Sequence, residues 1–547
     1  MHHCLEIHEI VRNICDHMDK KTSLSLGLTC RATLEPALER IWEVIDSWEF
    51  LRSLPEASWK ITLEPCNAYE CSSDQPCTRY FEPSDNDGFK PADLTRYLKH
   101  YAPKIRVLTL GEVRHGMLVP SISTLQAMGR AVDKELGILS PFLKQFTWLS
   151  PDALGYYTSN SEVMDIIPSR LMYGFLGPSV HIVRMEVNSS CDDLYIPFVD
   201  CMAVRLGPTL SKLDLGTYDP DLCDLGALEG ILDLAPKWNR LESLNLPTIF
   251  SVENIIDLAS LPCLRYLRLQ LVEDVSDFGG RSKVEEAYLA LNPFSALEEL
   301  DIRGPNFRDI VGFLDYLPKD TIIHTFIADS NEFNSTEDAQ EMVETVRKHF
   351  DPLHLKYLSI CDGQGRSPGE PEEPLDPDDL GWDDSADITC LLEFQGLLCL
   401  VIAFRRGAHI SRRGSDPIPW PPGLVRLRMV PSFPLVAPSP LDHTHVLEIC
   451  RTCRSLVELT INFDTSRIKK GTIPAPHDIF PSVGCLNVDK SFIVFPQRVA
   501  AFIGGHFPGL QRVGTKHPFI RQTRFKVTER TLNDRRWDLV KSIMNYA

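Results

Sequence analysis

The sequence contains no apolar run of the roughly 18 residues that a membrane-spanning helix needs, so no bilayer-crossing segment is expected. Basic charge is in short supply: 56 Lys+Arg against 75 Asp+Glu leave a formal net charge of −19. A chain this acidic is not expected to bind nucleic acid or an anionic membrane as a whole. Cysteine is sparse, with 16 in 547 residues, which excludes a disulfide scaffold. Many cysteines sit among apolar neighbours, for example Cys263, Cys399 and Cys485. They read as small core hydrophobes in a reducing cytoplasmic and/or nuclear setting. The opening stretch, MHHCLEIHEIVRNICDHM, lacks a basic segment followed by an apolar one and does not read as a signal peptide.

Signatures of catalysis are missing too. There is no G-x-x-x-x-G-K-[ST], G-x-G-x-x-G or H-E-x-x-H. Cys66, Cys71 and Cys77 lie too far apart for the usual closely paired zinc ligands. The expectation is therefore a chain that is not an enzyme and carries no metal or cofactor.

What the sequence does contain is one motif, L-x-x-L-x-L, written again and again. Copies fall at Ile105-Leu108-Leu110, Leu143-Phe146-Trp148, Ile182-Met185-Val187, Leu210-Leu213-Leu215, Leu241-Leu244-Leu246 and Leu264-Leu267-Leu269. They continue at Leu297-Leu300-Ile302, Ile323-Phe326, Leu355-Leu358-Ile360, Leu397-Leu400-Ile402, Leu424-Leu427-Met429, Leu456-Leu459-Ile461 and Val483-Leu486-Val488, with a fragment at Leu510-Val513. The last two apolar positions are two apart, the period of a strand with one buried face. So short a strand cannot bury that face alone. The spacers, such as ENIIDLASLPCL and HTHVLEICRTCRSL, carry helical spacing and are long enough to return the chain for parallel pairing. Stacked copies then share one continuous core. The pattern resembles leucine-rich repeats of irregular length.

Residues between the buried strand positions are expected on the open face of such a stack. Asn245, Tyr266, Arg268, Arg303, Arg426 and Arg428 are the candidates for gripping a partner, since aromatic and arginine side chains are favoured interface anchors. Asp214, Asp301, Thr460 and Asn487 share those positions.

The first 50 residues have a different rhythm. Ile7, Ile10, Val11, Ile14, Cys15 and Met18 fall on one helical face. A second helix is expected from about Leu24, with Thr22 or Ser23 as N-cap, and a third from near Pro36, a residue tolerated in a first turn. The run Leu5-Glu6-Ile7-His8-Glu9-Ile10, followed by LGLTCRATLEPALERIWEVI, resembles an F-box of the kind that precedes leucine-rich repeats in many fungal proteins. That resemblance implies docking onto a Skp-type adaptor of a cullin ubiquitin ligase complex. It would place Leu5, Ile7, Ile10, Leu24, Leu26, Leu28 and Trp42 among the contacts.

The expected architecture is α/β: an irregular leucine-rich-repeat solenoid of parallel strands plus helices, over 94–547, after an all-α F-box-like module at 1–50 and a linker at 51–93. An acidic insertion near 362–388 interrupts it and is expected to be disordered, with ten acids against one base, Arg366, between Asp362 and Asp387. In RRGSDP, Arg412 and Arg413 precede Ser415, an arrangement basophilic kinases favour, so Ser415 is a candidate phosphosite. The functional expectation is a non-catalytic substrate receptor whose repeats hold an unknown target protein. The alternative is an interaction scaffold with no ligase role.

Overall fold

The computed structural model describes residues 7–46, 48–63, 79–84, 89–110, 118–131, 138–149, 174–186, 205–216, 230–249, 252–271, 293–363, 385–411, 418–431, 439–469, 474–488, 491–514 and 532–545. The chain forms two compact units, Met1–Pro247 with Asp257–Leu264, and Thr248–Ile256 with Arg265–Ala547.

The first unit opens with three helices, α1 (His8–Asp16), α2 (Lys20–Gly27) and α3 (Arg31–Glu43). Two of their boundaries differ from the sequence expectation. The α2 N-cap is Asp19, whose carboxylate accepts the Thr22 backbone N–H at 2.7 Å, so the helix starts before Thr22 and Ser23. Helix α3 starts at Arg31 and carries Pro36 inside it, beyond the first turn. A proline there forfeits one i→i−4 hydrogen bond, and its ring is buried in return.

Strands β1 (Val44–Ile45), β2 (Trp59–Leu63), β3 (Arg79–Pro83), β4 (Val107–Leu110), β5 (Leu118–Pro120), β6 (Gln145–Trp148), β7 (Ile182–Glu186), β8 (Lys212–Gly216) and β9 (Ser243–Ile249) follow. The ladder runs β1-β4-β6-β7-β8-β9, and each neighbouring pair in it is parallel. One row of registered side chains, Leu108, Phe146, Val183, Leu213 and Leu244, is buried along its length. At β7 the buried frame is Val180, Val183 and Met185, whereas the sequence reading began it at Ile182. Within the span read as a linker, β2 and β3 pair antiparallel, and β3 pairs with β5 to make a separate three-stranded sheet.

The second unit carries β10 (Tyr266–Leu271), β11 (Glu299–Gly304), β12 (Thr325–Ser330), β13 (Tyr357–Cys361), β14 (Ala386–Asp387), β15 (Cys399–Ala403), β16 (Ala408–His409), β17 (Arg426–Met429), β18 (Glu458–Ile461), β19 (Cys485–Asn487) and β20 (Arg512–Gly514). Nine of these pair in parallel and in chain order, while β14 and β16 form a small pair of their own. Leu267, Leu300, Phe326, Leu358, Leu400, Leu427, Leu459 and Leu486 register as one buried row. Helices Phe307–Leu314, Thr336–His349, His443–Thr452 and Pro496–His506 supply crossovers and bury their apolar faces against the strands. Side chains from several positions tie the turns together. Asn334 accepts the Phe307 N–H at 2.7 Å, the Asp362 carboxylate accepts that of Arg405 at 2.8 Å, and Ser491 accepts that of Phe463 at 3.0 Å. Asp362 and Ala386, at the ends of the acidic span, are buried and bonded; residues 364–384 between them lie outside the described residues.

Candidate interaction surfaces

The helical module is held by a small core. Val11, Cys15 and Ala37 are buried together, with Leu26 packed against them. Gly27 is needed for this approach, because a Cβ there would stand 2.8 Å from the Ala37 Cβ. The Thr33 hydroxyl donates to the Leu26 carbonyl at 2.9 Å. On the outside, Arg12 pairs with Asp16 at 3.0 Å, with Glu43 at 3.4 Å and with Glu39.

The core divides the residues that the resemblance marks. Leu26 points inward, and Trp42 is half-buried with its ring 4.3 Å from that of Tyr101. Ile7, Ile10, Leu24 and Leu28 face solvent, the last two at 50% and 76% exposure. Leu5 lies outside the described residues. Leu34, not among the expected contacts, is exposed as well. Leu24 and Leu28 are one helical turn apart, and the Leu34 Cδ1 atom lies beside Gly27, 3.9 Å from where a Cβ there would sit. A small module with so few buried residues thus leaves several large apolar side chains exposed along α2, at its C-cap and on α3, and exposed apolar surface marks a partner site.

The open face of the strands is a lattice of charges paired sideways. In the first unit, Asn245 donates to the Asp214 carboxylate at 2.6 Å, and Arg184 lies 3.4 Å from it. In the second, Arg268 reaches Asp301 at 3.1 Å, Arg303 reaches Asp329 at 4.0 Å, and Arg426 reaches Glu458 at 2.7 Å, with Arg428 at 3.7 Å from the same glutamate. Tyr266 is exposed beside them. Burial pushes the Asp301 carboxyl above its ordinary range, with Arg268 and Arg303 pulling it back. Burial raises Asp329 further, to about 6, again against the pull of Arg303. Thr460 is buried and Asn487 half-buried.

The open face is not polar throughout. Cys361, Cys399, Val401 and Ala403 form a second apolar cluster on β13 and β15, with Tyr357 packed against it. Sequence reasoning missed this cluster. Its signal was the run CLVIA at β15, apolar at every position, as in a parallel strand buried on both faces. Ser415 and Cys66, Cys71 and Cys77 lie outside the described residues. Among the described residues no helix is long and apolar enough to cross a membrane.

Parallel strands in chain order, crossover helices and a shared leucine row define an α/β protein of the irregular leucine-rich-repeat class. No family model and no curated protein matches the chain. Among solved structures, the crystal structure of the Rad7 and Elc1 complex in yeast is similar over 75% of this chain and 76% of that chain, at 13% identity and a TM-score of 0.34. A likeness at that level carries no argument about function.

Proposed function

We propose that the chain is a non-catalytic substrate receptor of a cullin-type (SCF) ubiquitin ligase. Helices α1–α3 hold a Skp-type adaptor, and the repeat face holds the protein to be modified. The observation that carries this reading is the exposure of five large apolar side chains, Ile7, Ile10, Leu24, Leu28 and Leu34, on a module that keeps Leu26 for its own core. The chain would act by raising the effective concentration of target beside the ubiquitin carrier, not by making or breaking a bond. The test is reconstitution: full-length chain mixed with purified Skp-type adaptor and cullin should co-elute as one complex. The Leu24→Asp/Leu28→Asp variant should elute alone while retaining its helical circular dichroism. Co-elution of that variant to the same extent as the parent would remove the adaptor assignment.

A scaffold with no ligase role is the second reading, with the helices acting only as a lid on the first repeat. It is favoured by one observation. Strand β1, directly after α3, pairs in parallel with β4, and the Arg106 N–H donates to the Glu43 carbonyl at 2.9 Å. A solenoid end does need such covering. Under this reading the reconstitution yields no complex with either protein.

A further inference from the structure

In the second unit, the residue just before each strand is charged or polar from β10 to β13: Arg265, Glu298, His324 and Lys356. The next three repeats carry Leu398, Val425 and Val457 there, at 45%, 38% and 48% exposure. Backbone hydrogen bonds set the three side by side. The Val425 N–H donates to the Leu398 carbonyl at 2.8 Å, and the Val457 N–H to the Val425 carbonyl at 2.8 Å. Pro422, three residues before Val425, and Leu353, three residues before Lys356 in the preceding repeat, are exposed too, which widens the stripe.

Two exposed cations, Lys356 and Arg454, border this stripe. Lys356 is exposed at one end. Arg454 is exposed within it, steadied by a hydrogen bond to the His477 carbonyl at 3.0 Å and by the Phe480 ring at 5.3 Å. The flanking acids are engaged: Glu458 by Arg426 at 2.7 Å, and Asp351, beside Leu353, by the Leu353 backbone N–H at 2.7 Å and by His354 at 3.0 Å. A local cationic rim on a chain of net charge −19 favours an acidic partner.

We infer that this stripe docks an amphipathic helix of a partner protein, apolar at every third or fourth residue and flanked by acidic side chains. Spacing favours a helix over an extended segment. Adjacent strands stand about 4.8 Å apart, and one helical turn rises about 5.4 Å. A helix laid across the strands therefore presents successive turns to Leu398, Val425 and Val457. An extended segment laid the same way repeats its side chains on one face every ~6.6 Å and drifts out of step. The inference rests on the repeat stack alone, not on the ligase reading.

The test uses the full chain and a fluorescent helical peptide of about five turns, with leucines at i, i+4 and i+7 and glutamates beside them. A second peptide carries lysines in place of those glutamates. Fluorescence anisotropy should show the glutamate peptide binding at least about tenfold tighter than the lysine peptide. Val425→Glu/Val457→Glu should weaken the glutamate peptide by about tenfold or more. Lys356→Glu/Arg454→Glu should reverse the preference between the two peptides. All four positions are exposed, and unchanged circular dichroism confirms that the variants fold. Absence of binding, equal binding of both peptides, or binding that survives Val425→Glu/Val457→Glu would overturn the inference. So would a concentration-dependent dimer that Val425→Glu disperses, since the stripe would then belong to a second copy of the chain.

Discussion

The Asp329 carboxylate lies 4.0 Å from Nε of Arg303 on the neighbouring strand, yet burial outweighs that cation and raises its pKa to about 6. The folded value lies above the ordinary 3.8, so the fold favours the protonated form. The stabilising contribution is whole below about pH 4 and is lost as pH rises through about 6. Asp329→Asn should therefore match the parent in urea unfolding near pH 4 and exceed it by about 2–3 kcal/mol near pH 8. A constant difference between the two pH values would contradict this.

Leu26 in α2 packs on the module's core, while Leu28, the α2 C-cap two residues on, faces solvent. Leu26→Ala should cost about 1.5–3 kcal/mol, since it opens the contact with Val11, Cys15 and Ala37. Leu28→Ala should change stability by no more than about 0.5 kcal/mol. Chemical denaturation monitored by circular dichroism separates the two.

Glycines in the second unit should respond in opposite directions. A Cβ at Gly396 would stand 2.5 Å from the Leu353 carbonyl oxygen, in rigid backbone of the preceding turn. Gly396→Ala is expected to destabilise by about 2 kcal/mol or more. Gly504, within helix Pro496–His506, has nothing within 4 Å of its would-be Cβ. Gly504→Ala should stabilise by about 0.5–1 kcal/mol, the helix-propensity difference. Thermal unfolding of the two variants beside the parent checks both signs.

Much of the repeat stack was legible because period-two leucines admit only one buried frame per strand. Leu264-Leu267-Leu269 and Leu424-Leu427-Met429 are buried as spaced. The frame at β7 was ambiguous because Ile182 and Val183 are adjacent and both apolar, so burial had to choose between them. Strands β2 and β3 went unseen because WKITL and RYFEP are short and flank a stretch rich in turn-forming residues. Sideways pairing of Arg268 with Asp301, or of Arg426 with Glu458, depends on inter-strand register, which no single segment encodes. For the helical module, spacing marked which residues were apolar. It could not say that Leu26 would face the core and Leu28 the solvent, because a three-helix unit of this size uses more than one face of α2.

The most direct measurement of the central claim is surface plasmon resonance with immobilised Skp-type adaptor and three full-length analytes: the parent, Leu28→Asp and Leu34→Asp. The account predicts saturable binding by the parent, and a Kd at least about tenfold weaker for each variant at unchanged melting temperature. Parent and variants giving the same Kd, or a parent that never binds, would contradict it.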